Sequence, residues 1–168
     1  MEYQAIAFRS PCVDELGTVE AAMTKTVISV PSDMSAIEAL AYLYRHGVGG
    51  APVVDHERVE GVVTISDLEA PRPYARATGP FHRPHSGGSE WQVRDVMTES
   101  AVTASPKEPL VEAVVRMARA RIDRLPVVDG EGRPVGIVAR DDVVRVLARV
   151  AARKEAGAEP RRPMLVPD

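Results

Sequence analysis

Aromatic side chains are scarce here: Trp, Tyr and Phe together make up 4% of the 168 residues. Any core must be filled by aliphatic and small side chains, and with 45% apolar residues a sizeable one is within reach. That length suits one ordinary domain, or two small subdomains sharing a core. Cysteine is almost missing. The lone Cys12 excludes an intramolecular disulfide framework, fits a reducing compartment, and has no motif partner that would mark a catalytic thiol. Positive charge is not in excess. The 21 Lys and Arg face 24 Asp and Glu, for a net charge of -3, which speaks against a nucleic-acid partner. No apolar run approaches the ~20 residues of a membrane span. The opening MEYQAIAFRSP lacks a basic start followed by an apolar stretch, so no signal peptide is read. The expectation is a cytoplasmic protein with no membrane partner.

Catalytic signatures are missing as well. There is no Gly-x-Ser-x-Gly, no His-Glu-x-x-His and no phosphate-loop lysine motif. His82 and His85 stand three apart, but no cysteine or carboxylate cluster joins them, so no metal site is assigned. The basic stretch RARIDR (119–124) is short and reads as a helix face.

What the chain does contain is itself, twice. Shifted by 74, Val19 meets Val93, Met23 and Thr24 meet Met97 and Thr98, and Glu38 and Ala39 meet Glu112 and Ala113. Pro52-Val53-Val54-Asp55 meets Pro126-Val127-Val128-Asp129. After one inserted residue the offset is 75, and Gly61, Val63 and Asp67 meet Gly136, Val138 and Asp142. Apolar positions between these match too, including Leu43 with Met117.

Each copy reads α-β-α-β-β-α. A short helix carries AAMT or DVMT, and a β-branched run follows, TVISV (26–30) or AVTA (101–104). An amphipathic helix comes next. In the first copy Ser35 and Glu38 suit a capping box, and Ile37, Leu40, Ala41 and Tyr44 recur at helical spacing. In the second, Pro109 suits a first turn, and Leu110, Val111, Val114, Val115 and Ala118 make the stripe. Two strands joined by HER or GEGR read as hairpins. A last helix opens near Ser66 and near Asp141. The expected layout is an N-terminal segment (1–18), a first repeat (19–70), a Pro/Gly-rich linker (71–92), a second repeat (93–154) and a flexible tail (155–168). Four prolines and three glycines in 69–91 deny that stretch a regular ladder.

The pieces HGVGGAPVVD and GVVTISDL, then IDRLPVVD and GIVARDDV, resemble the CBS domain, named for cystathionine β-synthase, in its usual tandem pair. The resemblance covers roughly 19–68 and 93–150. It implies an α/β (α+β) fold in which two repeats, each with three short strands and flanking helices, are related by a pseudo-twofold axis. It also implies two clefts between the repeats that take adenine nucleotides (AMP, ADP or ATP) or other adenosyl compounds as regulatory ligands. No cofactor is required and no chemistry of its own is expected.

The family's Gly-h-h-Ser/Thr-x-x-Asp motif, h being apolar, is complete in the first copy, where Thr64 and Asp67 carry it. In the second copy Ala139 replaces the hydroxyl residue before Asp142. By the same resemblance Asp67 accepts both ribose hydroxyls, which a carboxylate can do without donors of its own. Thr64 and the following helix N-terminus face phosphate. Arg124, two residues before its proline, crosses the pseudo-dyad to the phosphate in the Asp67 cleft. Gly50 holds the matching place for the Asp142 cleft and brings no cation. Thr26, Val27, Val48 and Val63 are expected to line an adenine slot, with Gly49 and Gly50 letting backbone come close.

Two readings stay open. Asp67 and Asp142 also suit plain first-turn helix residues, Thr64 an exposed strand threonine, and Arg124 a solvated charge. In that case the chain is a ligand-free pair that serves dimerisation or docking to a regulated protein. In either case a homodimer is expected, with Leu147 and Val150 on the covered face.

Overall fold

The computed structural model describes residues 15–69 and 91–157. The linker's prolines, His82, His85, Cys12 and most of the expected tail lie outside them. Helix α1 is one turn, Val19–Ala22, and β1 is only Val30–Pro31. Pro31 has no N–H to carry the strand further. Helix α2 spans Ala36–His46. Ser35 caps it by accepting from the Glu38 N–H at 3.2 Å. It stops at Gly47, whose left-handed φ of 64° lets its N–H close on the last carbonyls. Strand β2 (Gly50–Asp55) and β3 (Arg58–Thr64) form an antiparallel hairpin. Its two turn residues, His56 and Glu57, both have positive φ, the conformation that matches the strand twist. Helix α3 is Ile65–Glu69.

The second repeat runs through α4 (Val93–Val96), β4 (Thr98–Glu99), α5 (Leu110–Ala120), β5 (Arg124–Val128), β6 (Pro134–Ala139) and α6 (Arg140–Gly157). Its hairpin turn is organised by Asp129. One carboxylate oxygen accepts from the N–H groups of Glu131 and Arg133, and the other from the Arg133 guanidinium. The Arg133 N–H and guanidinium bonds hold this carboxyl below its usual range. Helix α6 passes the expected boundary at 154 because Ala151 through Ala156 are good helix formers.

The two copies exchange their first helices. The Val19 N–H bonds the Glu108 carbonyl and the Val93 N–H bonds the Met34 carbonyl, at 3.0 and 2.9 Å. Glu20 reaches Pro106 as Arg94 reaches Ser32. Leu110 takes its N–H to Gly17 as Ala36 does to Trp91. Thr24 pairs with Ile137 on β6, as Thr98 pairs with Val62 on β3. Every one of these bonds has its image under the 74 and 75 offsets, which is the pseudo-twofold axis written in hydrogen bonds. The cores follow the exchange. Val93 closes a cluster with Val30, Ala39, Val53 and Val63, and Val19 closes the other with Leu110, Ala113, Leu125, Val127 and Val138.

Each copy has its three strands, but they are divided unequally between the sheets. The first sheet has four strands, β1-β2-β3-β4, and the second only β5-β6. Of AVTA (101–104) only Ala104 bridges, to Val127. The outer edge of each hairpin's second strand is taken by the other copy's Met-Thr segment. The helix stripes also differ. Ala39 and Leu43 point inward on α2, while Ile37 and Tyr44 are 65% and 58% exposed. On α5 the inward residues are Leu110, Ala113 and Met117, and Val115 is exposed. Helices with so many apolar positions carry two stripes of the right period, and tertiary packing selects one.

Gly61 and Gly136 mark where each Met crosses. A Cβ on Gly61 would stand 2.6 Å from the Thr98 carbonyl oxygen, which is backbone. One on Gly136 would meet the Met23 sulfur, the movable end of a flexible side chain. Gly61→Ala should therefore cost about 1–3 kcal/mol in urea unfolding, and Gly136→Ala clearly less. Equal losses would show that the β4 backbone is not what limits the site.

Candidate functional site

Thr64 ends β3 and Asp67 sits in the first turn of α3. The Thr64 N–H and hydroxyl both donate to Asp67 Oδ2, at 3.0 and 2.6 Å, and the Asp67 N–H approaches Thr64 Oγ1 at 3.3 Å. This reciprocal cap fixes the carboxylate's position. The strand partner of Thr64 is Gly50, and the Ile65 N–H bonds the Gly49 carbonyl at 3.1 Å. One wall of the cleft is thus the Gly49-Gly50 backbone.

Arg124 arrives from the other repeat. Its Nη1 donates to the Gly50 carbonyl oxygen at 3.3 Å, a contact between residues 74 apart. A Cβ on Gly49 or Gly50 would lie 3.1 or 3.0 Å from the guanidinium. The two glycines are therefore the floor on which Arg124 rests, which is why no side chain stands there. A Cβ on Gly50 would also stand 2.7 Å from the Val63 carbonyl oxygen. Thr64, Asp67, Gly49, Gly50 and Arg124 are brought together. Val27 and Val48 are half-buried, and Thr26 is exposed. Val63 is a correction: its side chain is fully buried in the first core, so it has no surface for an adenine ring. Alternation along β3 turns it inward. The N-terminus of α3 lies at this cleft, directly after Thr64. Among the described residues, Arg124 brings positive charge to this cleft.

The second cleft differs more than its missing hydroxyl suggests. Asp142 is 5% exposed. Its Oδ2 accepts from the Ala139 N–H at 2.7 Å, and its Oδ1 pairs with Arg145 Nη2. The Arg140 N–H bonds the Asp123 carbonyl at 2.8 Å, and its guanidinium pairs with the Asp123 carboxylate at 3.1 Å. The expectation of a cleft without a cation is thus corrected: two arginines stand beside it. Arg145 was legible as the residue three past Asp142, one helical turn on, and was missed. Asp142→Ala should leave affinity for adenosine and AMP within about twofold in calorimetry, because that carboxylate is already engaged. A tenfold loss would overturn this.

A hollow of about 580 Å³ opens elsewhere, lined by Thr103, Ser105, Lys107 and Glu108 among others. The Arg116 guanidinium there is held by the Thr103 carbonyl and by Glu108, and it serves as a clamp on the loop entering α5. Among the described residues no group of three or more His, Cys, Asp or Glu could hold a metal ion. None of their helices is long and apolar enough to cross a membrane.

The sequence profile of the CBS domain matches this chain twice, at residues 16–69 and 93–149. The inosine-5'-monophosphate dehydrogenase of Korarchaeum cryptofilum is 32% identical over 139 residues, covering 82% of this chain and 26% of that enzyme. The enzymes it resembles are several times longer, and the chain spans 25%, 22% and 26% of three of them. Among solved structures, the CBS domain pair of MJ0100 in complex with 5'-methylthioadenosine and S-adenosyl-L-methionine superposes with a TM-score of 0.65 at 27% identity. It covers 79% of this chain and 96% of that one. CBSX2 in complex with AMP gives 0.64 at 28% identity, covering 80% and 98%.

Proposed function

The chain belongs to the CBS domain family and carries the domain as a tandem pair. From that premise we propose that it is a regulatory module that binds an adenosyl ligand in the Asp67 cleft and performs no chemistry of its own. The observation that carries this reading is the composite site itself. A threonine and an aspartate locked by a reciprocal cap in one repeat meet an arginine delivered by the other across a glycine floor. Similar pairs bound to 5'-methylthioadenosine, S-adenosyl-L-methionine and AMP share an adenosyl group, which supports the ligand class. In this reading Asp67 accepts the ribose hydroxyls, each carboxylate oxygen having room for more than one hydrogen bond. Arg124, whose partner here is a neutral carbonyl, supplies charge for a phosphate or carboxylate on the ligand. A ligand that touches both repeats shifts their relative placement, and that is the signal a regulated protein reads.

Exposed apolar residues on the outer helices, Ile37 and Tyr44 on α2 with Val144 and Leu147 on α6, favour a second role as a docking or homodimer face. We include the homodimer in the proposal. Light scattering at micromolar concentration should give twice the chain mass, and a monomer would remove it.

The test of the ligand class is thermal shift against AMP, ADP, ATP, adenosine and S-adenosyl-L-methionine. Binding stabilises by RT ln(1 + [L]/Kd), about 2.7 kcal/mol at a hundredfold excess over Kd. For a chain of this size that is a rise in Tm of roughly 5–10 °C. No rise with any of the five would leave the ligand-free docking reading.

A further inference from the structure

The groove between the two outer helices is bridged in one copy and open in the other. In the first copy Tyr44, in the last turn of α2, donates its hydroxyl to Glu69 at the end of α3 and so ties the two helices together. Both residues are exposed. Under the repeat offsets Tyr44 meets Ala118 on α5, and Glu69 meets Val144 on α6. Alanine and valine cannot make that bridge. A hollow of about 380 Å³ lies there instead, with Met117, Ala118, Ile122 and Val143 in its apolar lining. Arg121, which is exposed, also lines it and stands where the first copy has Gly47. Among the described residues its guanidinium makes no hydrogen bond or ion pair. The second copy therefore presents an apolar hollow beside an unpaired cation, and the first presents an aromatic ring beside a carboxylate.

We infer that the homodimer is built head to tail, with Tyr44 and Glu69 of each chain seated against the Ala118 hollow and Arg121 of the other. This rests on the homodimer reading and gives it an orientation. A twofold dimer that covers both faces can pair them in two ways. Like with like brings two Tyr44 rings and two Glu69 carboxylates together at one contact. At the other it brings together two hollows and two Arg121 guanidinium groups. Like charges facing one another disfavour association, and the hollows stay unfilled. Like with unlike gives each ring a hollow and each carboxylate a cation, twice per dimer. The orientation is thus selected by what differs between the copies, both by attraction in one pairing and by repulsion in the other.

Sedimentation equilibrium on the full chain reads the orientation through charge reversal. In the head-to-tail dimer E69R and R121E should each raise the dimer Kd by at least about tenfold, because each creates a like-charge contact twice per dimer. E69R/R121E restores an opposite pair at both contacts and should return Kd to within about threefold of the wild type. In the like-with-like dimer all three variants keep like charges facing at both contacts, and Kd should not move. A118Y, which fills the hollow from its own helix, should loosen the head-to-tail dimer as well. E69Q keeps an acceptor for the Tyr44 hydroxyl, should loosen the dimer in the same direction, and serves if E69R melts early. A wild-type dimer unmoved by the single reversals, or a double reversal as weak as the singles, would overturn the orientation and leave the homodimer standing. A monomeric wild type would remove the homodimer and the orientation with it.

Discussion

Asp67→Ala should weaken AMP binding by about tenfold to a hundredfold, the range expected when a hydrogen-bonded charged acceptor worth roughly 1.5–3 kcal/mol is removed. The same change removes the acceptor for the Thr64 N–H and hydroxyl, a cap worth about 1 kcal/mol of stability. Asp67→Asn separates the two effects, since its amide oxygen still caps while its charge is gone. Arg124→Ala should hurt AMP more than adenosine, because only AMP carries the phosphate. Its effect on folding should be small, since Arg124 contributes one long hydrogen bond to Gly50. Titration calorimetry of the three variants with AMP and adenosine measures each ratio. Equal losses for both ligands in Arg124→Ala would remove the phosphate role. An unchanged Kd in both Asp67 variants would remove the ribose role.

Cutting the chain between its copies should abolish folding of both pieces. Fragment 1–72 lacks Val93, which closes the first core, and fragment 89–168 lacks Val19, which closes the second. The first piece also loses the hydrogen bonds of Ala36 to Trp91, Val93 to Met34, Arg94 to Ser32 and Ser100 to Glu60. A buried valine is worth about 1.5–3 kcal/mol and each net hydrogen bond about 0.5–1.5. Together they approach the 5–15 kcal/mol that holds a whole domain. Circular dichroism should show each fragment largely unfolded as a monomer, and native signal returning when the two are mixed. A fragment that melts cooperatively as a monomer would show that the exchanged helices are not needed.

The repeat made most of this fold legible, because an offset of 74 needs only matching letters. It located both hairpins and both short helices, while the cap at Ser35 was read from the spacing of Ser35 and Glu38. It was also the better guide to burial, since the matched pairs Ala39 with Ala113 and Leu43 with Met117 point inward, while of the chosen stripes Leu110 is buried and Ile37, Tyr44 and Val115 are exposed. Helical period is a property of one segment, and the face that packs is decided by neighbours far along the chain. The exchange of α1 and α4 was illegible for the same reason: a pair of identical units packs equally well with or without it on sequence evidence. At the clefts, motif residues were placed near one another, but Val63 was given a binding role that strand alternation denies it. Arg145 was overlooked because its message lies in the difference between copies.

The crossed helices give biosynthesis a direction. As the chain leaves the ribosome from its N-terminus, the first hairpin is complete at Thr64, yet its core stays open until Val93 and Thr98 have emerged. The second hairpin meets the opposite situation, because Val19 and Thr24 are already outside and waiting when Ile137 appears. The earlier half therefore spends longer with aliphatic surface exposed, and it is the half a chaperone would hold.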